Sequence, residues 1–380
     1  MKEIKKIPFG LPMIDKEEIE AVSRVLESNI LTHGPAVKEF EEAFAHYLDV
    51  KNAIALSSCT AALHLSLMAL DVGPGDEVIV PSQTHVATAH AVEYCGAKPV
   101  FIDATLETGN ADLDMIGEKI TSRTKAVEIV HFIGFPFDMK KLTAVVKNTP
   151  VVEDCAVALG AEYGGKKIGS LGISGCFSFY PIKHISTAEG GMLTTDNDEI
   201  AHFVGKARAF GIDRSIEERK VPGIYDVKYL GNNYRMSEIK AALGLVQLKK
   251  LEGMNKKRRE NYSTLRKLLE EIEGIVLFKQ PDKNSTSAHF CLSVMLPEDF
   301  PLSRDDFVAK LNIIGIGTST YYGTPVPLMS YYRNKYGYKP GDFPNAEFIA
   351  NRSIALPVGP HLNRSDMEYI AEAVQKICSQ

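Results

Sequence analysis

The sequence has no tryptophan and no apolar run near the ~18 residues a membrane span needs. It has no basic surplus either. With 43 Lys and Arg against 48 Asp and Glu, the net charge is −5. No general positive field draws nucleic acid, and the acidic surplus is too small to imply a basic partner. Six cysteines, at positions 59, 95, 155, 176, 291 and 378, form no CxxC pair. Neither a structural zinc site nor a redox motif is suggested, and no metal is expected. The N-terminal "MKEIKKIPFGLPMIDKEE" is basic but lacks the apolar centre of a signal peptide. No repeat or low-complexity segment is present, and no GxGxxG follows the first predicted strand, which argues against a dinucleotide-binding fold. The expectation is a reduced, cytoplasmic protein with no nucleic-acid or membrane partner.

What is present is alternation. Helical spacing of apolar residues marks 15–27 and 37–48. Then come strand 52–58, helix 59–70, a turn and strand within 72–82, helix 84–96, strand 98–104, helix 112–120, strand 125–134, helix 139–148 and strand 150–156. Such alternation implies a mainly parallel sheet covered on both faces. Ligands in such sheets bind beyond the carboxyl ends of strands, which singles out residues 57–60, 82–85 and Asp154. A helix is predicted over 199–211, followed by a polar stretch without periodicity, 212–232. A long helical region runs from about 237 to 272, and the glycine in its charged segment "KLEGMNKKRRENY" suggests a break or bend. Strands at "IVLFKQ", "AHFCLSVML" and "GIGTSTYY", with helices "SRDDFVAKLNIIG" and "SDMEYIAEAVQKI", complete a smaller α+β region. Two domains are expected, a large one at 1–250 and a small C-terminal one at 251–380.

In "SFYPIKHISTAEGG", 178–191, Lys183 stands between a predicted strand end and a small-residue turn. Most lysines are solvated, so its position alone says little. "SSCT", 57–60, joins a strand to a helix start, where hydroxyls and free N–H groups suit a phosphate but also serve as ordinary N-caps. Asp154, at a strand end, reads as a turn former or a functional carboxylate. His85 is a flat ring for a ligand or a packed side chain. Together Lys183, Ser178, Asp154 and the 57–60 turn ask for one partner. That partner has a carbonyl for a lysine, a basic ring nitrogen for a carboxylate, and a phosphate for a helix N-terminus. Pyridoxal phosphate (PLP) has all three: the lysine forms a Schiff base, and the aspartate keeps the ring nitrogen protonated.

The sequence resembles the DegT/DnrJ/EryC1/StrS family of PLP-dependent sugar aminotransferases nearly end to end. The resemblance is carried in order by "ILTHGPAVKEFEEAFAHYL", "SSCTAALHLSLMAL", "GDEVIVPSQTHVATAHAVEYCGAKPVFID", "VVEDCAVALGAEYGGKKIGSLG", "SFYPIKHISTAEGGMLTTD", "YLGNNYRMSEIKAALGLVQLKKLE" and "YRNKYGYKPGDFPNAEFIANRSIALPVGPHL". It implies an α/β protein of the fold type I, aspartate-aminotransferase-like class. By position, Lys183 resembles the Schiff-base lysine and Asp154 the partner of the ring nitrogen. His85 takes the place of the stacking ring, and Cys59, Thr60 and Ser178 those of the phosphate contacts. Asn233 resembles the residue that reaches the neighbouring subunit's phosphate, implying a homodimer with shared sites. Thr32, Glu189 and Tyr321 are the candidates for the sugar side. Glu189 also reads as a turn cap, and Tyr234 and Arg235 read equally as structural residues at the dimer contact or as substrate contacts.

Three positions depart from the family pattern. Val157 replaces a glutamine expected near the cofactor's 3-oxygen, Cys59 replaces a glycine, and Tyr321 stands where many relatives have histidine. The activity implied is transfer of an amino group from L-glutamate to a keto-sugar by ping-pong kinetics, with a nucleotide-linked 4-keto or 3-keto 6-deoxyhexose as acceptor and an uncharged-carrier or free keto-sugar acid as the alternative. Two alternatives are a sugar 3-dehydratase relative, whose Schiff-base position carries histidine where Lys183 stands here, and a non-catalytic regulator on the same fold. His184 reads as a loop neighbour of the lysine.

Overall fold

The computed structural model describes residues 5–213, 221, 223–279 and 283–380. The chain opens with α1 (Lys16–Ser28) and α2 (Pro35–Leu48), then alternates through β1 (Asn52–Leu56), α3 (Cys59–Ala69), β2 (Glu77–Pro81), α4 (Val86–Tyr94), β3 (Lys98–Ile102), α5 (Leu113–Lys119), β4 (Thr124–Val130), α6 (Met139–Val146) and β5 (Val151–Asp154). A short hairpin, β6 (Glu162–Tyr163) and β7 (Lys166–Lys167), precedes β8 (Ser174–Ser178), β9 (Gly191–Thr195) and α7 (Asp198–Ala207). After α8 (Glu238–Leu269) come β10 (Val276–Leu277), β11 (Ser285–Thr286), β12 (Leu292–Met295), α9 (Arg304–Ile313), α10 (Ser330–Tyr336), α11 (Pro344–Arg352), β13 (Ser353–Leu356) and α12 (Arg364–Cys378).

Local chemistry starts many of these helices. Asp15 and Glu18 form a reciprocal capping box on α1, and Ser58, Asp112, Asn197 and Ser303 cap α3, α5, α7 and α9. Central strands are apolar on both faces, as a sheet covered on both sides requires. On β2, Val78 and Val80 pack into one layer and Ile79 into the other. Likewise Cys176 and Leu193 face the α3 side, while Phe177 and Met192 face Phe40 and Phe44 of α2.

The seven-stranded sheet has the order β1-β9-β8-β5-β4-β2-β3. From β8 to β3 every pairing is parallel, and β9 runs antiparallel to both neighbours. Six strands therefore end at one edge, and β9 begins there. Leu56, Gly191 and Ser178 lie in register across that edge, and Asp154 pairs with Cys176 one strand further.

A second, antiparallel sheet, β10-β12-β13, forms the C-terminal part with α9 and α12. The N-terminal segment joins it, since Ile7 exchanges hydrogen bonds with Gly315 and Gly317.

Two expectations need correction. α8 is one helix of 32 residues with no break. Gly253 sits on its exposed side, while Leu248, Leu251, Arg258, Tyr262 and Leu265 are buried along the other. That buried stripe outweighs the ~1 kcal/mol a mid-helix glycine costs. The segment "GIGTSTYY" is not a strand. It makes only isolated bridges, Ile316 with Ile7 and Ser319 with Ala355. The third strand of the small sheet is instead β13. In the polar stretch 212–232, residues 214–220 and 222 lie outside the described residues.

Candidate active site

The β8–β9 hairpin presents Lys183. Its base is closed by Phe179 N–H to Gly190 O (3.0 Å) and Thr187 N–H to Phe179 O (2.9 Å), and Lys183 N–H bonds Tyr180 O at 2.9 Å. The Lys183 amine lies 5.2 Å from the Phe290 ring centroid. Burial lowers its pKa below the usual lysine range, and the charge of Asp154 opposes that shift. The adjacent His184 is buried, and its Nε2–H donates to Ala288 O at 3.1 Å, tying the loop to the segment before β12. His184 thus packs beside the lysine loop.

Asp154 ends β5 and is 4% exposed. One carboxylate oxygen accepts from Thr88 Oγ1 (2.9 Å) and the other from Ala156 N–H (3.0 Å). A carboxylate only accepts, so Thr88 donates to it, and Thr84 Oγ1, 2.7 Å away, donates to Thr88 in turn. Thr88 lies three residues after His85, one helical turn along α4. His85 caps that helix through Nδ1, which accepts from Ala87 N–H at 3.2 Å. Its free proton is therefore on Nε2, and burial lowers the ring's pKa, so His85 is a neutral ring.

Cys59 and Thr60 open α3, where helix geometry leaves their N–H groups without intrahelical acceptors. The Cys59 thiol donates to Cys176 O at 3.4 Å, so the side chain packs inward and the backbone remains the donor. Gly191 makes this turn fit, because a Cβ there would stand 2.3 Å from Ser58 C and 2.6 Å from Cys59 N. Ser178, in register with Gly191, accepts from Tyr180 N–H at 3.4 Å. The fold thus gathers Lys183, Asp154, Cys59, Thr60, Ser178 and His85 at one sheet edge.

Other candidates fall elsewhere. Asn233 is exposed, on a segment that flanks β1, where Ser57 N–H bonds Tyr234 O at 2.7 Å. Tyr234 OH meets His64 Nδ1 at 3.3 Å, and the Arg235 guanidinium lies 5.0 Å from the Phe210 ring centroid. Thr32 lines a cavity of about 810 Å³ with Arg208, Phe210 and Arg235, and Lys183 is not among its lining residues. The Glu189 carbonyl, not its carboxylate, closes the turn by accepting from Thr187 Oγ1 at 3.0 Å, and the residue is exposed. Tyr321 packs its ring on Phe290 and Phe9, with centroids 5.4 and 6.0 Å apart. Val157 is buried in the core.

Tyr322 had no sequence signal. Its ring stands edge-on to His85 at 6.1 Å, and burial with the nearby Asp154 charge raises its pKa. Gln83 Nε2 donates to the carbonyl of Tyr321 at 3.0 Å and holds this segment over the sheet edge.

Among the described residues, His131, Glu153 and Cys155 bring ligand-type atoms within 4.8 Å of one another. Their hydrogen bonds show a structural knot. Glu153 accepts from the N–H groups of Gly169, Leu171 and Gly172 and from His131 Nε2, while His131 Nδ1 accepts from Phe137 N–H. Burial alone would raise the Glu153 pKa, but these donors outweigh it and hold the carboxyl below its usual range.

The donor set fits PLP: a pKa-lowered amine, a carboxylate fixed by two donors, and a helix N-terminus kept open by a glycine. Comparisons agree. The chain is 38% identical over 377 residues to the spore coat polysaccharide biosynthesis protein SpsC of Bacillus subtilis, covering 98% of this chain and 97% of that protein. It superposes on Helicobacter pylori PseC, an aminotransferase involved in the biosynthesis of pseudoaminic acid, with TM-score 0.91, 30% identity and coverage of 99% and 100%. Spr1654 of Streptococcus pneumoniae in its PLP form gives TM-score 0.91 at 28% identity, covering 99% of each chain. The model of the DegT/DnrJ/EryC1/StrS aminotransferase family matches residues 12–375, and the chain belongs to that family of PLP-dependent sugar aminotransferases.

Proposed function

We propose that this chain moves an amino group from L-glutamate to a nucleotide-linked 4-keto or 3-keto 6-deoxyhexose, in two alternating half-reactions, as a cytoplasmic homodimer. The observation that carries this reading is Lys183, an amine of lowered pKa held at the same sheet edge as the fixed Asp154 carboxylate.

When bound, PLP supplies an electrophilic carbonyl and an electron-accepting ring. Asp154 would hold the proton on the ring nitrogen, and Thr88 and Ala156 keep that carboxylate aimed. Cys59 and Thr60 N–H with Ser178 Oγ would hold the phosphate, and the neutral His85 would cover one ring face. Lys183 would take the proton from the donor's α-carbon, for which its amine must be neutral. Burial favours that form. The partner's Asn233 would complete the phosphate site.

The test needs no knowledge of the sugar. Wild-type protein exchanges label between L-glutamate and 2-oxoglutarate, and Lys183→Ala slows this by about 10²–10⁴-fold, the usual contribution of a positioned acid–base group. Exchange at the wild-type rate in Lys183→Ala would overturn the reading. A panel of nucleotide-linked keto-sugars then identifies the acceptor.

A further inference from the structure

The loop between β2 and α4 gives successive residues different tasks. His85 is the ring assigned to the cofactor. Thr84 supports Thr88, which donates to Asp154. Ser82 O accepts from Val326 N–H at 2.9 Å. Gln83 turns its side chain to the C-terminal part of the chain. It is 1% exposed, and its Nε2 donates to Tyr321 O at 3.0 Å and Tyr322 O at 3.4 Å. Both acceptors are backbone carbonyls, so only the amide nitrogen can face them. The Gln83 Oε1 is buried with no partner. Burying an amide with half its capacity unmet is a cost that an apolar side chain avoids. Filling space therefore does not account for a glutamine here.

The bond holds the corner at Tyr321 and Tyr322, whose rings go different ways. Tyr321 packs on Phe290 and Phe9, while Tyr322 stands edge-on to His85, with centroids 6.1 Å apart and planes at 62°. His85 accepts one hydrogen bond, from Ala87 N–H to Nδ1 at 3.2 Å. One bond at one ring atom does not fix the plane of the ring. An edge-to-face neighbour does, because such contacts are directional. Among the described residues, Tyr322 is the one aromatic ring in such contact with His85.

We infer that Gln83 is a positioning residue for the cofactor: by tying the Tyr321 and Tyr322 carbonyls to the β2–α4 loop, it keeps the Tyr322 ring against His85 and His85 over PLP. This deepens the proposed function, because it rests on His85 covering one face of the cofactor. Two readouts test it without turnover. One is the rate at which loaded protein releases PLP on dilution, with phosphatase present to consume the free cofactor. The other is the visible circular dichroism of PLP while it is bound.

Gln83→Met, similar in volume but without a donor, should release PLP about 2–10-fold faster, the range of one neutral hydrogen bond, with weaker dichroism per bound PLP. The backbone bond from Val326 to Ser82 is untouched in this variant, so the corner stays attached. Gln83→Asn, whose amide is one carbon short of the carbonyls, should behave the same way. Tyr322→Leu should also speed release, and adding Gln83→Met to it should change the rate little, since the bond then has no ring to position. A contribution to stability alone would multiply the two effects and leave the dichroism unchanged. That result, or Gln83→Met and Gln83→Asn proteins that hold PLP as wild type does, would overturn the Gln83 assignment; the His85 reading would stand so long as His85→Ala speeds release. A His85→Ala protein that holds PLP as wild type does would overturn the His85 reading, and the Gln83 assignment with it.

Discussion

Two carboxylates on neighbouring strands show how residue environment sets charge. Asp154 pairs with Val130, and Glu128 with Val152, so both acids lie on the same face two positions apart. Asp154 has two donors. Glu128 is fully buried and neither of its oxygens has a partner. Burial first, and then the Asp154 charge, raise the Glu128 pKa well above its ordinary 4.5. The folded protein therefore keeps a proton that the unfolded chain releases above about pH 4.5. The stability this contributes is complete below that pH and is lost as pH rises toward the folded value. Glu128→Gln removes the titration. As pH rises above about 5, the wild type should lose stability relative to Glu128→Gln, with a limiting slope of about 1.4 kcal/mol per pH unit, read from melting curves at each pH. Melting curves that stay parallel at every pH would show that Glu128 ionises alike in both states.

At the scale of elements, the site depends on how closely β9 approaches the start of α3. A Cβ on Gly191 meets backbone atoms of Ser58 and Cys59, which cannot rotate away as a side chain could. Gly191→Ala should cost about 1–3 kcal/mol of stability and loosen retention of PLP, measured by denaturant titration and by dialysis of the loaded protein. Gly205, inside α7 with open space at its Cβ position, is the control. Its alanine variant should gain up to about 1 kcal/mol. A Gly191→Ala variant as stable and as PLP-retentive as wild type would refute this account of the turn. A second element is capped at long range. Gly34 at the start of α2 has no side chain to cap it, and Glu238 of α8 accepts from Ala36 N–H at 2.7 Å instead.

At the scale of the molecule, the segment around the exposed Asn233 is apolar for a surface. Ile224, Tyr225, Val227 and Leu230 are 64%, 49%, 49% and 86% exposed. Exposed apolar clusters of this kind mark interaction sites, and this one supports the proposed dimer. If Asn233 serves the other subunit's site, Lys183→Ala and Asn233→Ala lesions complement each other. Refolding the two inactive variants together gives hybrid dimers with one intact site, so roughly a quarter of wild-type exchange should return for random pairing. No recovery would place Asn233 in its own subunit's site.

Much of the fold was legible because its signals are local. Short apolar runs of strand length alternating with period-3.6 apolar patterns depend on a few neighbouring positions, and they located β1 to β5 and the helices between them. The resemblance named the site residues through Lys183 and its flanking block. What the tertiary structure decided was adjacency. Strand order and register set Gly191 against Ser58, and Asp154 beside Cys176. A buried stripe kept α8 whole across Gly253, and packing brought Tyr322 to His85. The raised pKa of Glu128 likewise depends on contacts between residues distant in sequence, which bury its carboxyl without a hydrogen-bond partner and near Asp154.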